Sequence, residues 1–349
     1  MNNIKFDFDD ILIEPEIVTT VNSRYNDIKL EHNPLFTSAM DTVVDETNYE
    51  LFLEQNINVC LPREIKECVH KNDISKVFHS YSLEDFKEYF IDNKPDKDFK
   101  KINIDMANGH ISKLHDIIKE FRKKHGNEFE IMAGNIGNPK SIKILDDIGV
   151  NYARVSIGSG SACISSQQIG VGYGLGSLIH ECYQIKKENN LKIKIVADGG
   201  MKKYSDIIKA LALGSDYVMI GGLFNQCLES CAPTYIQNIK HDNWTEPGEK
   251  IDQYDPIYKQ MLKSGTKFYK KFRGMSTKEV QIQQGKKNIR TSEGITKLNQ
   301  VEYTLEGWME NFNHYLRSAM SYTNSHNLEE FKGSKFNLIT QNSLERFRK

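Results

Sequence analysis

The stretch KIVADGGMKKYSDIIKALALGSDYVMIGG, Lys194 to Gly222, decides the fold. KIVAD is a short apolar run, DGGM interrupts it, SDIIKALALG carries apolar residues at helical spacing, and DYVMIGG is a second apolar run closed by two glycines. A strand, a glycine-rich turn, a helix and a further strand make one βα step of a parallel sheet. Neighbouring strands joined through a helix run in the same direction, because the crossover returns the chain to the starting edge.

Working outward, the same alternation recurs. PLFTSA, INVCL, SKVFHSY, KINIDMA, FEIMAG and NYARVSI precede the two runs above, which makes eight, and stretches such as ISKLHDIIKEFRKKH between them have helical periodicity. Eight such units predict an α/β fold, a (β/α)₈ TIM barrel, although an open doubly wound sheet gives similar alternation. The strand ends favour the barrel. Runs one, four, five, six, seven and eight lead into SAMDT, DMANGH, GNIGNP, GSGSACIS, DGGM and GGLF, all small, polar and glycine-rich. In a barrel these loops gather at the one face where active sites are built.

A chain of 349 residues fits a single barrel domain with additions. After the eighth run the pattern changes. His241 to Gln260 is polar with two prolines and reads as an inserted excursion, and Arg273 to Lys297 has the composition of a lid after strand eight. Tyr303 to Tyr322 reads as a closing amphipathic helix, and residues 323–349 as a polar tail lying on the surface.

The 46 Lys and Arg nearly cancel the 47 Asp and Glu, for a net charge of −1. That leaves no global footprint for nucleic acid or for an acidic membrane, and a small-molecule partner is expected. No apolar stretch reaches the roughly 18 residues of a membrane span. MNNIKFDFDD lacks the regions of a signal peptide, so a cytoplasmic protein is expected. Six cysteines spread over the chain (Cys60, Cys68, Cys163, Cys182, Cys227, Cys231) do not form a disulfide framework. Cys227 and Cys231 stand four apart, yet no nearby histidine or second cysteine pair completes a zinc set.

The chemistry concentrates in three places. Gly199 and Gly200 follow strand seven and Gly221 and Gly222 follow strand eight, where this fold commonly binds phosphate on backbone N–H groups. Asp198 would aim a carboxylate into the same space and accept hydrogen bonds from sugar hydroxyls. Cys163 lies in RVSIGSGSACISSQQIGVGY, a loop whose successive backbone N–H groups can lower a thiol pKa, and it is the best nucleophile in the chain. Carbonyls around Gly158 and Gly160 offer ligands to a monovalent cation. Glu293, in TSEG, would sit in the lid and transfer a proton through a hydroxyl such as Ser165. A solvated glutamate is the alternative.

Several motifs together resemble the inosine monophosphate dehydrogenase and guanosine monophosphate reductase family: DFDDILIEP, SAMDTV, DMANGH, IMAGN, IGSGSAC, GVGY, ADGG, DYVMIGG, RGMS and RTSEG. They occur in family order from about Phe6 to Tyr322. The resemblance implies a TIM-type barrel, usually a homotetramer, that binds a purine ribonucleotide at its mouth. The loop cysteine, here Cys163, attacks C2 of the purine while a nicotinamide cofactor exchanges hydride there, with Ser165 and Glu293 handling the proton. Substrate would lie against Ser161, Asp198, Gly199, Gly200, Gly221, Gly222, Gly274, Met275, Ser276, Arg290, Ser292 and Gly294. Cofactor would lie against Arg63, Asp105, Met106, Ala107 and Ser318. A potassium ion would sit on the carbonyls of Gly158, Gly160 and Cys163.

Within the family, the reductase branch is favoured, with NADPH as reductant and guanosine monophosphate as substrate. There is no room between Cys60 and Asp105 for a CBS pair, and Gly274 to Gly294 holds no tyrosine. A dehydrogenase without the CBS pair and a nucleotide binder without turnover are the alternatives. The chain also departs from the family pattern. Ser159 stands for a proline, Cys163-Ile164-Ser165-Ser166 for Cys-Thr-Thr-Arg, Gly174-Leu175 for Pro-Gln, and Arg63 for a lysine.

Overall fold

In the computed structural model all eight apolar runs are strands of one parallel sheet: β1 (Leu35–Thr37), β2 (Cys60–Leu61), β3 (Phe78–Tyr81), β4 (Lys101–Asp105), β5 (Glu130–Ile136), β6 (Tyr152–Val155), β7 (Lys194–Asp198) and β8 (Tyr217–Ile220). The structure describes the chain except residues 1–3, 64, 66–69, 71–72, 94–97, 161, 241–244, 276, 284–290, 292–293 and 346–349.

The sheet closes on itself. From β2 to β8 each strand pairs with its successor, and β8 pairs with β1 through Leu35↔Val218, Phe36↔Met219 and Thr37↔Ile220. The remaining seam, between β1 and β2, is joined where the Thr37 N–H donates to the Asn58 carbonyl at 2.9 Å and the Asn58 N–H to Leu35 at 3.0 Å. The architecture is therefore the (β/α)₈ barrel that the alternation predicts, and the open-sheet alternative falls.

Side chains fill the barrel, as a closed sheet of eight strands requires. Phe36 contacts Phe78, Tyr152 and Tyr217 edge-on, with ring centroids 5.5, 6.1 and 5.1 Å away, and Met132, Val196 and Met219 complete this apolar plug. A second group of buried residues, Ser80, Asn103 and Arg154, is polar. Outside the sheet, helices such as Ser112–His125, Leu175–Glu188 and Tyr204–Ala212 turn their apolar stripes onto the strands. The helix Leu305–Tyr322 starts on Thr304, whose side chain accepts the Gly307 N–H, and buries Trp308, Phe312, Leu316 and Met320.

Beyond β8 the chain is more ordered than its composition suggests. β9 (Thr234–Lys240), β10 (Thr245–Ile251), β11 (Phe268–Arg273) and β12 (Thr296–Gln300) form an antiparallel sheet in the order β10-β9-β11-β12. The polar excursion thus contributes a paired strand and the helix Pro256–Lys263, started by the Asp255 side chain on the Ile257 N–H. β11 and β12 are the legs of a hairpin whose connection carries the expected lid; its described part includes the helix Lys278–Gln283. The tail is not merely surface chain. Phe331 is fully buried, and Phe336–Leu338 pairs antiparallel with Ile11–Ile13. Polar composition hid both, because these elements turn few side chains inward: the helix Pro256–Lys263 and the strand Phe336–Leu338 bury none.

Candidate active site

The C-terminal ends of the strands carry a chain of charges that fold together although they are far apart in sequence. Arg63, just past β2, donates from Nε to Asp105 Oδ2 at 3.0 Å. Asp105, the last residue of β4, accepts from Arg154 Nη1 on its other oxygen at 2.6 Å. Arg154 in turn donates to Asp198 Oδ2, from Nη2 at 2.8 Å and from Nε at 3.1 Å, and Asn135 Nδ2 reaches the same oxygen at 2.6 Å. Asn135 also donates to Ser156 Oγ at 3.0 Å.

Burial alone would raise the Asp105 carboxyl, but the charges of Arg154 and Arg63 outweigh it and hold its pKa below the usual carboxylate range. Burial would likewise discharge Arg154, and the two facing carboxylates instead raise its pKa. Asp105 and Arg154 therefore both stay ionised at neutral pH. A guanidinium suits this position because its planar fork can serve two carboxylates at once.

The cysteine loop closes over this network. It leaves β6, turns where the Cys163 N–H donates to the Gly160 carbonyl at 2.9 Å, and ends in the helix Ser165–Ile169. Cys163 is half-buried and in no disulfide, whereas Cys60, Cys182 and Cys227 are buried. Burial pushes the Cys60 thiol up to about 12 and raises Cys182 and Cys227 as well, which leaves them inert as nucleophiles. Cys68 lies outside the described residues.

Two neighbours hold the loop from either side. Gly199, with φ +73°, turns the chain at the end of β7, and a Cβ there would come 3.2 Å from the Gly160 Cα. On the other side the hairpin base meets the loop: the Ile295 N–H donates to the Ala162 carbonyl at 3.0 Å, and Cys163 forms an antiparallel bridge with Gly294. Gly274 packs so closely that an added Cβ would lie 2.5 Å from the Ala162 carbonyl oxygen. The base is itself anchored, because Arg273 forms an ion pair with Asp41 in the SAMDT loop after β1.

Most of the expected site residues therefore converge. Cys163, Asp198, Gly199, Gly200, Gly274 and Gly294 meet, with Met275 next in the chain; Gly221 lies beside the β1 loop, where a Cβ would be 3.1 Å from Met40 Sδ, and Gly222 opens the helix Gly222–Asn225. Arg63, Asp105 and Met106 line the opposite part of the mouth, with the exposed Ala107 after them. Ser165 opens the helix after the loop. Ser318 is set apart. It is the fourteenth residue of the helix Leu305–Tyr322, which starts near the mouth, where the Glu229 side chain accepts the Leu305 N–H. At 1.5 Å per residue Ser318 lies about 20 Å further down. Ser161, Ser276, Arg290, Ser292 and Glu293 lie outside the described residues.

Sequence reasoning missed Arg154, Asn135 and the Arg273–Asp41 pair. Arg154 left a signal, a lone charge inside the apolar run NYARVSI; Asn135 and Asp41 left none beyond loop composition.

Residues 92–243 match the model of the IMP dehydrogenase / GMP reductase domain. A GMP reductase of Mycoplasma mycoides is 26% identical over 352 residues, covering 96% of this chain and 98% of the relative. GMP reductases of Lactobacillus delbrueckii, 27% identical with 97% of this chain and 96% of the relative covered, and of Staphylococcus saprophyticus, 28% identical with 76% and 79% covered, are similar to it as well.

Proposed function

We propose that this chain, which carries the IMP dehydrogenase / GMP reductase domain, is an oxidoreductase that converts guanosine monophosphate to inosine monophosphate and ammonia with NADPH as reductant. The observation that carries the proposal is the meeting of three segments at one point: the Cys163 loop, the glycine turn after β7 and the base of the β11–β12 hairpin. A nucleophile, a phosphate cradle and a cover are what this reaction asks of a site.

The thiolate of Cys163 adds to C2 of the purine. The exocyclic amine leaves as ammonia after Glu293, through the Ser165 hydroxyl, delivers a proton to its nitrogen, and the purine remains bonded to sulfur at C2. A reduced nicotinamide bound at the mouth would supply the hydride that C2 takes up, and Cys163 would then leave as the thiolate. Gly199, Gly200, Gly221 and Gly222 hold the phosphate, and Asp198 accepts the ribose hydroxyls. Oδ2 of Asp198 already receives Arg154 and Asn135, so Oδ1 is the oxygen that serves the ribose. Ser161, Ser276, Arg290 and Ser292 complete the purine site alongside Met275, Gly274 and Gly294.

The dinucleotide would lie across the mouth against Arg63, Asp105, Met106 and Ala107. Arg63 keeps about a third of its side chain exposed (32%) while Asp105 fixes its guanidinium, and Met106 and Ala107 continue the rim. Ser318 joins a cofactor site only where another subunit brings it near, as a homotetramer would. The described residues contain no helix long and apolar enough to cross a membrane.

The test is direct. The purified chain mixed with guanosine monophosphate and NADPH should consume the nicotinamide and release inosine monophosphate and ammonia in equal amounts. Consumption of neither NADPH nor NADH, or NADH formation from inosine monophosphate and NAD, defeats the proposal.

A further inference from the structure

The potassium ion that the family resemblance implies does not fit the loop as a structural requirement. Of the three carbonyls that would ligate it, two already receive donors from the loop itself. The Ser166 hydroxyl donates to the Gly158 carbonyl at 3.2 Å, and the Cys163 N–H donates to Gly160 at 2.9 Å. Just upstream, the Ser159 hydroxyl donates to the Asp198 carbonyl at 3.1 Å, fastening the loop to the end of β7. Ser159 and Ser166 are the two positions at which the chain departs from the family's proline and arginine.

We propose that the hydroxyls of Ser159 and Ser166, in place of a monovalent cation, hold the Cys163 loop in its working shape. Carbonyl oxygens turned toward one another repel, and a cation between them or a donor on each relieves the repulsion. Proline has no donor to give to the Asp198 carbonyl, and an arginine in place of Ser166 would carry its donors at the end of a long stem rather than one bond past Cβ. Serine at both positions supplies a short hydroxyl within reach of a backbone carbonyl. These hydroxyls tie the loop at Ser159 to the barrel and at Gly158 to the helix that follows it, while the Ile295 N–H ties it at Ala162 to the hairpin. This order needs nothing from solution.

The inference takes its expectation of a cation from the family resemblance rather than from the proposed function, and its test reads the thiol rather than turnover. The rate of Cys163 alkylation by iodoacetamide, followed by peptide mass spectrometry, is compared in potassium chloride and in tetramethylammonium chloride at equal ionic strength. The wild-type rate should be the same in both salts. Loss of one hydrogen bond shifts a local opening equilibrium by about five-fold. Ser159→Ala/Ser166→Ala should therefore speed alkylation by at least that much, and Ser166→Thr, which keeps the hydroxyl, should restore the Ser166 share. If the double variant does not fold, Ser166→Ala alone is read in the same way. A wild-type rate that changes about five-fold or more on replacing potassium, or variants that alkylate like wild type, would overturn the proposal. If reductase activity is absent while these rates behave as expected, only the functional proposal fails.

Discussion

Arg154 Nη2 lies 2.8 Å from Asp198 Oδ2, and the same guanidinium reaches Asp105 with Nη1 at 2.6 Å. One side chain from β6 thus joins the carboxylate proposed for the ribose to the carboxylate proposed for the dinucleotide. Arg154 is only 8% exposed, so its removal leaves two partly buried carboxylates without their main partner. Breaking such a pair typically costs about 3–5 kcal/mol. Arg154→Met should lose stability of that order in urea unfolding at neutral pH and weaken binding of nucleotide and dinucleotide together. Arg154→Lys should recover part of both, since it keeps the charge and loses the fork. A stability loss below about 1 kcal/mol, the scale of an exposed pair, would mean that solvent already screens the network.

The hairpin base supplies a second test. In Gly274→Ala the new methyl would have to occupy space 2.5 Å from the Ala162 carbonyl oxygen and 3.2 Å from the Gly294 Cα. Backbone must move to admit it, and a displacement near 1 Å at a reacting group can cost about 10²-fold in rate. Steady-state kinetics should show kcat falling by that order while the nucleotide Kd, from equilibrium dialysis, changes little. A variant with wild-type kcat would show that the hairpin and the loop do not move as one.

Cys163→Ala separates an enzyme from a binder. The half-buried thiol is in no disulfide, so its loss should leave the melting temperature nearly unchanged, within the roughly 0.5 kcal/mol expected away from the core. Turnover should vanish and nucleotide binding persist. Turnover that survives the substitution assigns the chemistry to another residue.

Lys270 supplies a pH signature away from the mouth. Its side chain is fully buried on β11, its Nζ donates to the Ser230 carbonyl at 2.6 Å, and burial pulls its pKa down to about 7. Between that value and the ordinary lysine range near 10.4 the unfolded chain binds a proton that the folded chain does not. Stability from this group therefore rises with pH across that window and is lowest below it. Lys270→Met, similar in size and uncharged, should flatten the rise in melting temperature between pH 7 and pH 9 (about the lower half of that window). An unchanged slope would mean that Lys270 stays charged inside the fold.

Legibility followed the kind of signal each part left. All eight barrel strands could be read because each is an apolar run ended by a polar or glycine turn, and a parallel strand covered on both faces needs that pattern. That Cys163, Asp198 and the glycines after β7 converge was foreseeable for a related reason: they stand just past the strand ends, which barrel closure gathers at one face. The charge network was not. Arg154 acquires its meaning from Asp105 and Asp198, which only barrel closure brings within reach. The antiparallel sheet β9–β12 was hidden because much of it pairs without burying a large apolar face; its small core is Leu228, Ile251, Phe268 and Val301. Ser318 was carried by resemblance alone, and nothing local to the helix could have shown its distance from the mouth.

The pairing of Ile11–Ile13 with Phe336–Leu338 bears on how the protein is made. More than 300 residues of chain separate Ile13 from Phe336, so a ribosome delivers the first of these strands long before its partner. For most of that interval Ile11–Ile13 carries backbone groups with no strand to receive them, and such an edge invites pairing with the wrong neighbour. A nascent chain of this protein is therefore expected to depend on shielding by a holdase until Phe336–Leu338 has emerged. Once Phe336–Leu338 docks, the same contact closes the molecule.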